Sequence, residues 1–404
     1  MDRIVYIGND GNINSVGADG AGGRSLTNDG NGWAITSQRR PEGQPDPVFY
    51  SWPTGSPDGS RLASSRVTLE SPTNIKAELH TFDMKTGRTQ KIHENPSGDA
   101  PFIAPGVPHY MCWSPDGKHL AFVGQDELRG LTLNVSNVDK NEPPRAIISG
   151  SPIFTTWSAN SNRMLLHVGE NLYLADIDSE KEPRELRHRS IAFRCFAWAI
   201  NGSKSVYVAR APYRGGSAIY LADENGDNGQ PVAPIRRGET VLVSSPNQEY
   251  LAFTEKGPPS AQYYVTLKLL KVNDIEVKTF VDEPLLAFFW APDGEKIAFI
   301  GYDPTSQKAT WKIIDVKNEK VFKLSDFVPS SELSIAITFF DQYAQSHSPW
   351  SNDSRYLAFT GHAESRKYGS NGKHGNNQVY VIDIHSRLSP YSVGAGSMAT
   401  WLKA

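Results

Sequence analysis

The chain has 404 residues, 38% of them hydrophobic and 21% charged, and is long enough to bury a large core. Its formal charge is −3 and no apolar run nears the roughly 20 residues of a membrane span, so no nucleic acid, anionic membrane or spanning helix is expected. The 34 glycines, 27 prolines and 10% aromatics favour many turns and strands.

Three short runs open the chain: Arg3–Ile7, Asn12–Val16 and Arg24–Thr27. Ile4-Val5-Tyr6-Ile7 is too short for the apolar part of a signal sequence, so the chain reads as cytoplasmic as given, and as periplasmic or secreted if a leader has been removed. A long connection, Asn28–Pro47, precedes Trp52, with Ser56-Pro57-Asp58-Gly59 behind it. A second, Asn95–Val107, precedes Trp113-Ser114-Pro115-Asp116-Gly117 and the apolar run Leu120-Ala121-Phe122-Val123. Weaker copies follow at Trp157, at Trp198, and at Ser245-Pro246-Asn247 with Leu251-Ala252-Phe253, where the tryptophan is missing. Trp290-Ala291-Pro292-Asp293-Gly294 with Ile297-Ala298-Phe299 restates the pattern, and its unit supplies four runs, Leu286–Trp290, Lys296–Ile300, Trp311–Val316 and Lys320–Leu324. A third long connection, Ser325–Ser346, leads to Trp350-Ser351-Asn352-Asp353-Ser354 with Leu357-Ala358-Phe359. A fourth, Gly361–Asn377, follows, and Ala399-Thr400-Trp401 nearly ends the chain.

A period of about 40–45 residues with four strands per unit is the signature of a β-propeller blade. Pro-Asp-Gly fits a tight turn with Gly at positive φ, and Leu-Ala-Phe fits a strand buried on both faces between blades. A four-stranded sheet cannot bury both faces alone, so stacking around a ring supplies the core. Ala399–Trp401 has no strands after it, and Arg3–Thr27 lacks a first strand. The reading is therefore all-β: a single propeller of about eight four-stranded blades (alternatively seven), closed by the C-terminal strand joining the N-terminal strands. The blades fall at about 399–404 with 1–27, then 48–95, 108–150, 152–190, 191–236, 240–284, 285–324 and 347–398. Seven of the nine tryptophans are assigned to the repeat position, where they read as packing residues between blades. Cys112 and Cys195 are too few for a disulfide framework and read as reduced, buried small hydrophobes.

The Trp-Ser-Pro-Asp-Gly-x-x-Leu-Ala-Phe unit resembles the repeat of TolB-like propellers, within the wider WD40-like β-propeller family. Ile13–Val16 and Arg24–Thr27 are similar to outer strands of that family. The resemblance covers nearly the whole chain and implies fold rather than function. TolB has six blades and an extra α/β domain, for which this chain has no room. The blade count is more similar to the propeller of the dipeptidyl peptidase IV group, whose α/β-hydrolase domain is absent here.

A search for chemistry returns little. There is no Gly-x-Ser-x-Gly elbow; Gly394-Ala395-Gly396-Ser397 has the wrong order and is expected to precede a strand. There is no phosphate loop and no His-Glu-x-x-His. Asn9–Asn12 and Asp223–Asp227 resemble calcium loops but fit hairpin turns better. No cofactor and no metal are expected. Phe339–His347 contains Asp341, Tyr343, Ser346 and His347, and resembles a motif of stand-alone TolB-like propellers; its adjacent Ser346 and His347 suit a nucleophile–base pair with Asp341 poorly. The better reading is that it enters the channel mouth and hydrogen-bonds neighbouring blades. Strand alternation sends the four long connections to one face around that mouth, where binding residues usually sit. This face would carry Trp33, Gln38, Arg39, Arg40, Tyr213, Arg214, Tyr302, Asp341, Tyr343, His347, Arg366, Lys367, Tyr368 and His374. The expected function is a non-catalytic scaffold for a protein or peptide partner on this face. The alternative is a small-molecule or carbohydrate binder, or a hydrolase-like enzyme, with its site near Asp341, Tyr343 and His347.

Overall fold

The structure, a computed structural model, describes residues 2–31, 45–71, 74–96, 109–126, 130–140, 142–187, 189, 196–211, 216–236, 239–363, 377–386 and 389–403. These residues form antiparallel sheets and two short helices, α1 (Ser331–Thr338) and α2 (Phe340–Tyr343). Among them, no helix is long and apolar enough to cross a membrane. The chain divides into two compact units, Met1–Ala146 with Phe327–Ala336 and Ser346–Ala404, and Ile147–Asp326 with Ile337–Gln345.

In the first unit, the long strand Tyr391–Leu402 pairs with Arg3–Gly8, followed by Ile13–Gly17 and Arg24–Ser25. The register sets Ile4 opposite Trp401 and Arg3 opposite Leu402, so the two terminal segments share one sheet, as their sequence requires. The same long strand pairs at its other end with Gln378–Asp383, which pairs with Tyr356–Ala363. One unbroken strand therefore serves two sheets where the repeat suggests a boundary at 398. Gly394–Ser397 lies inside this strand rather than before it, which corrects the expectation. A Cβ on Gly396 would strike the carbonyl oxygen of Ile7, so the close approach at that point requires glycine. A second sheet runs Val48–Gly55, Arg61–Leu69, Ile75–Asp83, Thr89–Glu94, and a third runs Tyr110–Trp113, His119–Asp126, Gly130–Asn137, Arg145–Ser149.

The second unit repeats the plan. Ile153–Trp157, Phe196–Ala199, Thr240–Ser244 and Leu285–Trp290 each lead three further antiparallel strands. The last of these runs is longer than its sequence suggests, ending at Pro329 rather than Leu324.

The repeat's chemistry is visible at the five turns that begin with serine. Ser114 Oγ donates to Asp116 Oδ1 at 2.6 Å and accepts the His119 N–H at 2.9 Å. Ser56, Ser158, Ser245 and Ser351 do the same with Asp58, Asn160, Asn247 and Asp353. Gly59, Gly117 and Gly294 take φ of 71–74°, as expected of a tight turn, while Ser161, Gln248 and Ser354 hold φ of 56–65° at the same place. The Leu-Ala-Phe strands are buried throughout. Their cores join consecutive sheets: Ile4, Val379, Val381 and Trp401 pack together, as do Val208, Ile219, Leu251 and Phe253.

The tryptophans do more than pack. Trp113 Nε1 donates to Thr54 O (3.1 Å), Trp198 to Thr156 O, Trp290 to Val243 O, and Trp401 to Pro349 O (2.8 Å). Each acceptor is the residue just before the repeat position of the preceding sheet, so each indole clips one first strand to the next. Trp52 does not belong to this series, which corrects its assignment. Gly55, not Trp52, faces Leu62 as Trp113 faces Leu120. A bulge between Ser51 and Thr54 absorbs the extra residues and holds Trp52 at φ 52°. Leu402 occupies the space at Gly55, with its Cδ1 2.5 Å from where a Cβ would stand.

Candidate functional site

The Phe339–His347 segment is built into the packing. In the first unit, Ser330 Oγ caps α1 through the Leu333 N–H and meets Thr360 Oγ1 at 2.9 Å. In the second unit, Phe340 is fully buried against Phe288, with ring centroids 4.9 Å apart. Tyr343 is buried, which pushes its hydroxyl well above the ordinary tyrosine range, and Gln345 Nε2 donates to Thr156 Oγ1 at 2.5 Å. In the first unit again, Thr54 Oγ1 donates to Ser346 O at 3.1 Å. His347 sets its ring edge on Trp52 at 5.2 Å and meets Ser346 Oγ through Nδ1 at 2.9 Å. Burial pushes His347 down to about 4, with bonds to the Trp52 and Pro53 backbone acting the other way. A histidine so depressed is neutral at pH 7 and a weak base there, so its contact with Ser346 makes a poor nucleophile–base pair.

Of the other anticipated residues, Tyr302 sits on Lys296–Asp303 with its ring 5.9 Å from that of Tyr263. Trp33, Gln38, Arg39, Arg40, Tyr213, Arg214, Arg366, Lys367, Tyr368 and His374 lie outside the described residues, as does Cys195. Cys112 is buried and reduced, its thiol pushed up to about 12 by burial. Asn9–Asn12 and Asp223–Asp227 are hairpin turns closed by Asp10 and Asp223.

Two groupings were not anticipated. The first is a buried histidine seam in the first unit. His109 Nδ1 meets Ser65 Oγ at 2.9 Å, His93 stands edge-on at 5.9 Å, and His93 Nε2 meets Asn95 Oδ1 at 3.2 Å. Burial lowers His109 to about 3, with His93 adding to the effect. Ser65 and His109 are 0% and 1% exposed, so no substrate reaches them. The second is a cleft of about 500 Å³ beside the Ser351–Tyr356 turn, lined in part by Asp2, Asp19, Asp353, Arg355, Tyr356 and Trp401. Its lining comes from both chain ends and a turn, which no local pattern connects. Among the described residues, no three His, Cys, Asp or Glu side chains cluster as a metal site would need.

No protein-family model and no curated protein matches the chain. Solved structures do. A eukaryotic initiation factor superposes with TM-score 0.55 at 12% identity, over 99% of this chain and 98% of that one. The β-propeller domain of the Trilobed protease from Pyrococcus furiosus gives 0.51 at 13%, over 86% and 98%. An oligogalacturonate lyase from Vibrio parahaemolyticus gives 0.51 at 11%, over 87% of each. In fold, the chain is a β-propeller. At these identities the likeness carries architecture and not activity.

Proposed function

We propose that the chain is an eight-bladed, single-domain propeller that binds a protein or peptide partner without catalysing a reaction. The blade count is supported by eight first-strand positions, at Gly55, Trp113, Trp157, Trp198, Ser244, Trp290, Trp350 and Trp401, the last completed by the N-terminal strands. The observation that carries the binding reading is the fate of the reactive side chains. The serine–histidine contacts are at histidines depressed by desolvation, one of them, His109, fully buried, and Tyr343 is committed to packing. What is left for function is a rigid frame with long connections, the usual arrangement of a recognition surface.

The partner face is the one bearing Trp33, Arg39, Arg40, Tyr213, Arg214, Tyr302, Arg366, Lys367, Tyr368 and His374 by strand alternation. The test is a paired substitution. Arg39, Arg40, Arg366 and Lys367 are replaced by Ala together, and Asp341 and His347 by Asn separately. Loss of partner capture in the first variant, with an unchanged melting temperature, supports the platform. A metabolite-induced thermal shift abolished only in the second variant would overturn it in favour of a ligand site near Asp341.

A further inference from the structure

The outer strand of a sheet carries unpaired backbone groups and is ordinarily blunted by shortness, proline or a bulge. Several outer strands of this chain are. Arg24–Ser25 and Arg184–Glu185 are two residues long, Gln230–Ile235 contains Pro231 and Pro234, and a register shift interrupts the pairing of Thr89–Glu94. Glu276–Val281 is different. Among the described residues it pairs only with Tyr264–Lys271, with Glu276 opposite Lys271 and Lys278 opposite Leu269. Its register shift falls beyond Thr279, so Glu276, Val277, Lys278 and Thr279 form a regular edge, and all four are exposed.

Two apolar side chains stand at this edge. Val277 is 41% exposed, and Ile275, in the hairpin just before it, is 53% exposed. Ile275 also holds φ 54°, a conformation that strains a β-branched residue. Gly87 fills the same place after the strand end Asp83 without strain, and Glu319, in the same place after Asp315, reaches Lys278 at 2.5 Å.

Charge decides how this edge could pair with an antiparallel copy of itself. Opposed residues share a sheet face, so a two-fold axis must pass through a residue position. An axis at Glu276 or at Lys278 sets like charges against each other, and an axis at Thr279 runs into the shifted part of the strand. An axis at Val277 sets Glu276 opposite Lys278 twice, Val277 opposite Val277 and Ile275 opposite Thr279. Lys278 loses little in turning to such a partner, because its pair with Glu319 is exposed on both sides. The outer strand Lys320–Pro329 also exposes an apolar residue, Val321, but Lys320 and Lys323 flank it and would repel a copy.

We propose that Glu276–Thr279 is a self-association edge, to which a second copy of this chain adds antiparallel about Val277, joining the two outer strands into one ladder. Two Glu276–Lys278 pairs flank the Val277–Val277 contact, and each Ile275 stands opposite the partner's Thr279. So small a contact makes a weak, concentration-dependent dimer. The edge does not rest on the partner face proposed above and stands or falls without it.

The experiment is sedimentation velocity of the whole chain over a concentration series, with the melting temperature as the check on folding. A monomer–dimer equilibrium is expected. Glu276→Lys and Lys278→Glu each place like charges in both cross-strand pairs and should weaken the dimer on the order of tenfold. Mixed one to one, these two variants present opposite charges at both pairs. They should associate with each other about as tightly as the unaltered chain does with itself, a rescue that a structural role within one copy would not give. Ile275→Gly removes strain and contact together, so it should raise the melting temperature while weakening the dimer by about twofold to fivefold. A monomer at every concentration overturns the proposal and leaves the edge to an extended segment of another protein. Dimerisation unmoved by either charge reversal, or a mixture no tighter than its components, overturns it as well.

Discussion

The sheet led by Tyr110–Trp113 and the sheet led by the end of Tyr391–Leu402 follow one plan and are finished differently. In both, a tryptophan indole donates to the backbone of the preceding first strand, at 3.1 Å from Trp113 and 2.8 Å from Trp401. In both, a strand buried on each face lies next to it. The first sheet closes with a Ser-Pro-Asp-Gly turn that rests on its neighbour. The second has Leu402 facing Arg3 and no turn. The pairing and the indole clip therefore seat a first strand in both sheets, with a connecting turn in one and between the two chain ends in the other.

The comparison breaks most severely at the tryptophans. Trp401→Ala and Trp113→Ala should each cost about 3–5 kcal/mol in urea unfolding. A cost for Trp401→Ala far below that of Trp113→Ala would mean that the terminal strand is not an equal member of the repeat. Next in size is Gly396→Ala, expected to destabilise by about 1–3 kcal/mol, because the added methyl meets the Ile7 carbonyl in the pairing that replaces the turn. Gly23→Ala, where the nearest neighbour is 4.0 Å away, is the control.

Acidity acts on the chain through desolvated histidines. His109, His167 and His347 stand at about 3, about 4 and about 4, chiefly through burial, against an ordinary 6.5. The unfolded chain takes up these protons first, so stability is complete above about pH 6.5 and falls as pH drops towards 4. Each such group steepens the slope by up to about 1.4 kcal/mol per pH unit. Urea midpoints measured at several pH values check this, and His109→Asn should flatten the curve. The smallest effect is a gain: Ser354→Gly, at φ 57°, should stabilise by about 0.5–1 kcal/mol in the same assay.

Much of this architecture is written locally. Ser-Pro-Asp-Gly names its own turn because the serine, the aspartate and the positive φ are all within four residues. Leu-Ala-Phe names a buried strand, and the unpaired Ala399–Trp401 points to the strand-poor N-terminus. Trp52 misled because sequence spacing cannot show a bulge that moves a tryptophan three residues from its slot. The indole-to-carbonyl bonds were equally hidden, since the acceptor is a backbone oxygen 42 to 59 residues away with no side-chain signature. The Ser325–Ser346 stretch has too few apolar residues in period to announce α1 and α2. The cleft had no local signal at all, its lining coming from residues 2, 19, 353 and 401, which no local pattern connects.

The pairing of Arg3 with Leu402 also has a practical corollary. Partners facing one another across a ladder are close enough to be spliced by a linker no longer than the hairpin Ser114–Lys118. A head-to-tail fusion through such a linker would leave the ladder undisturbed, and new termini opened in any other hairpin would give a rearranged gene encoding the same molecule.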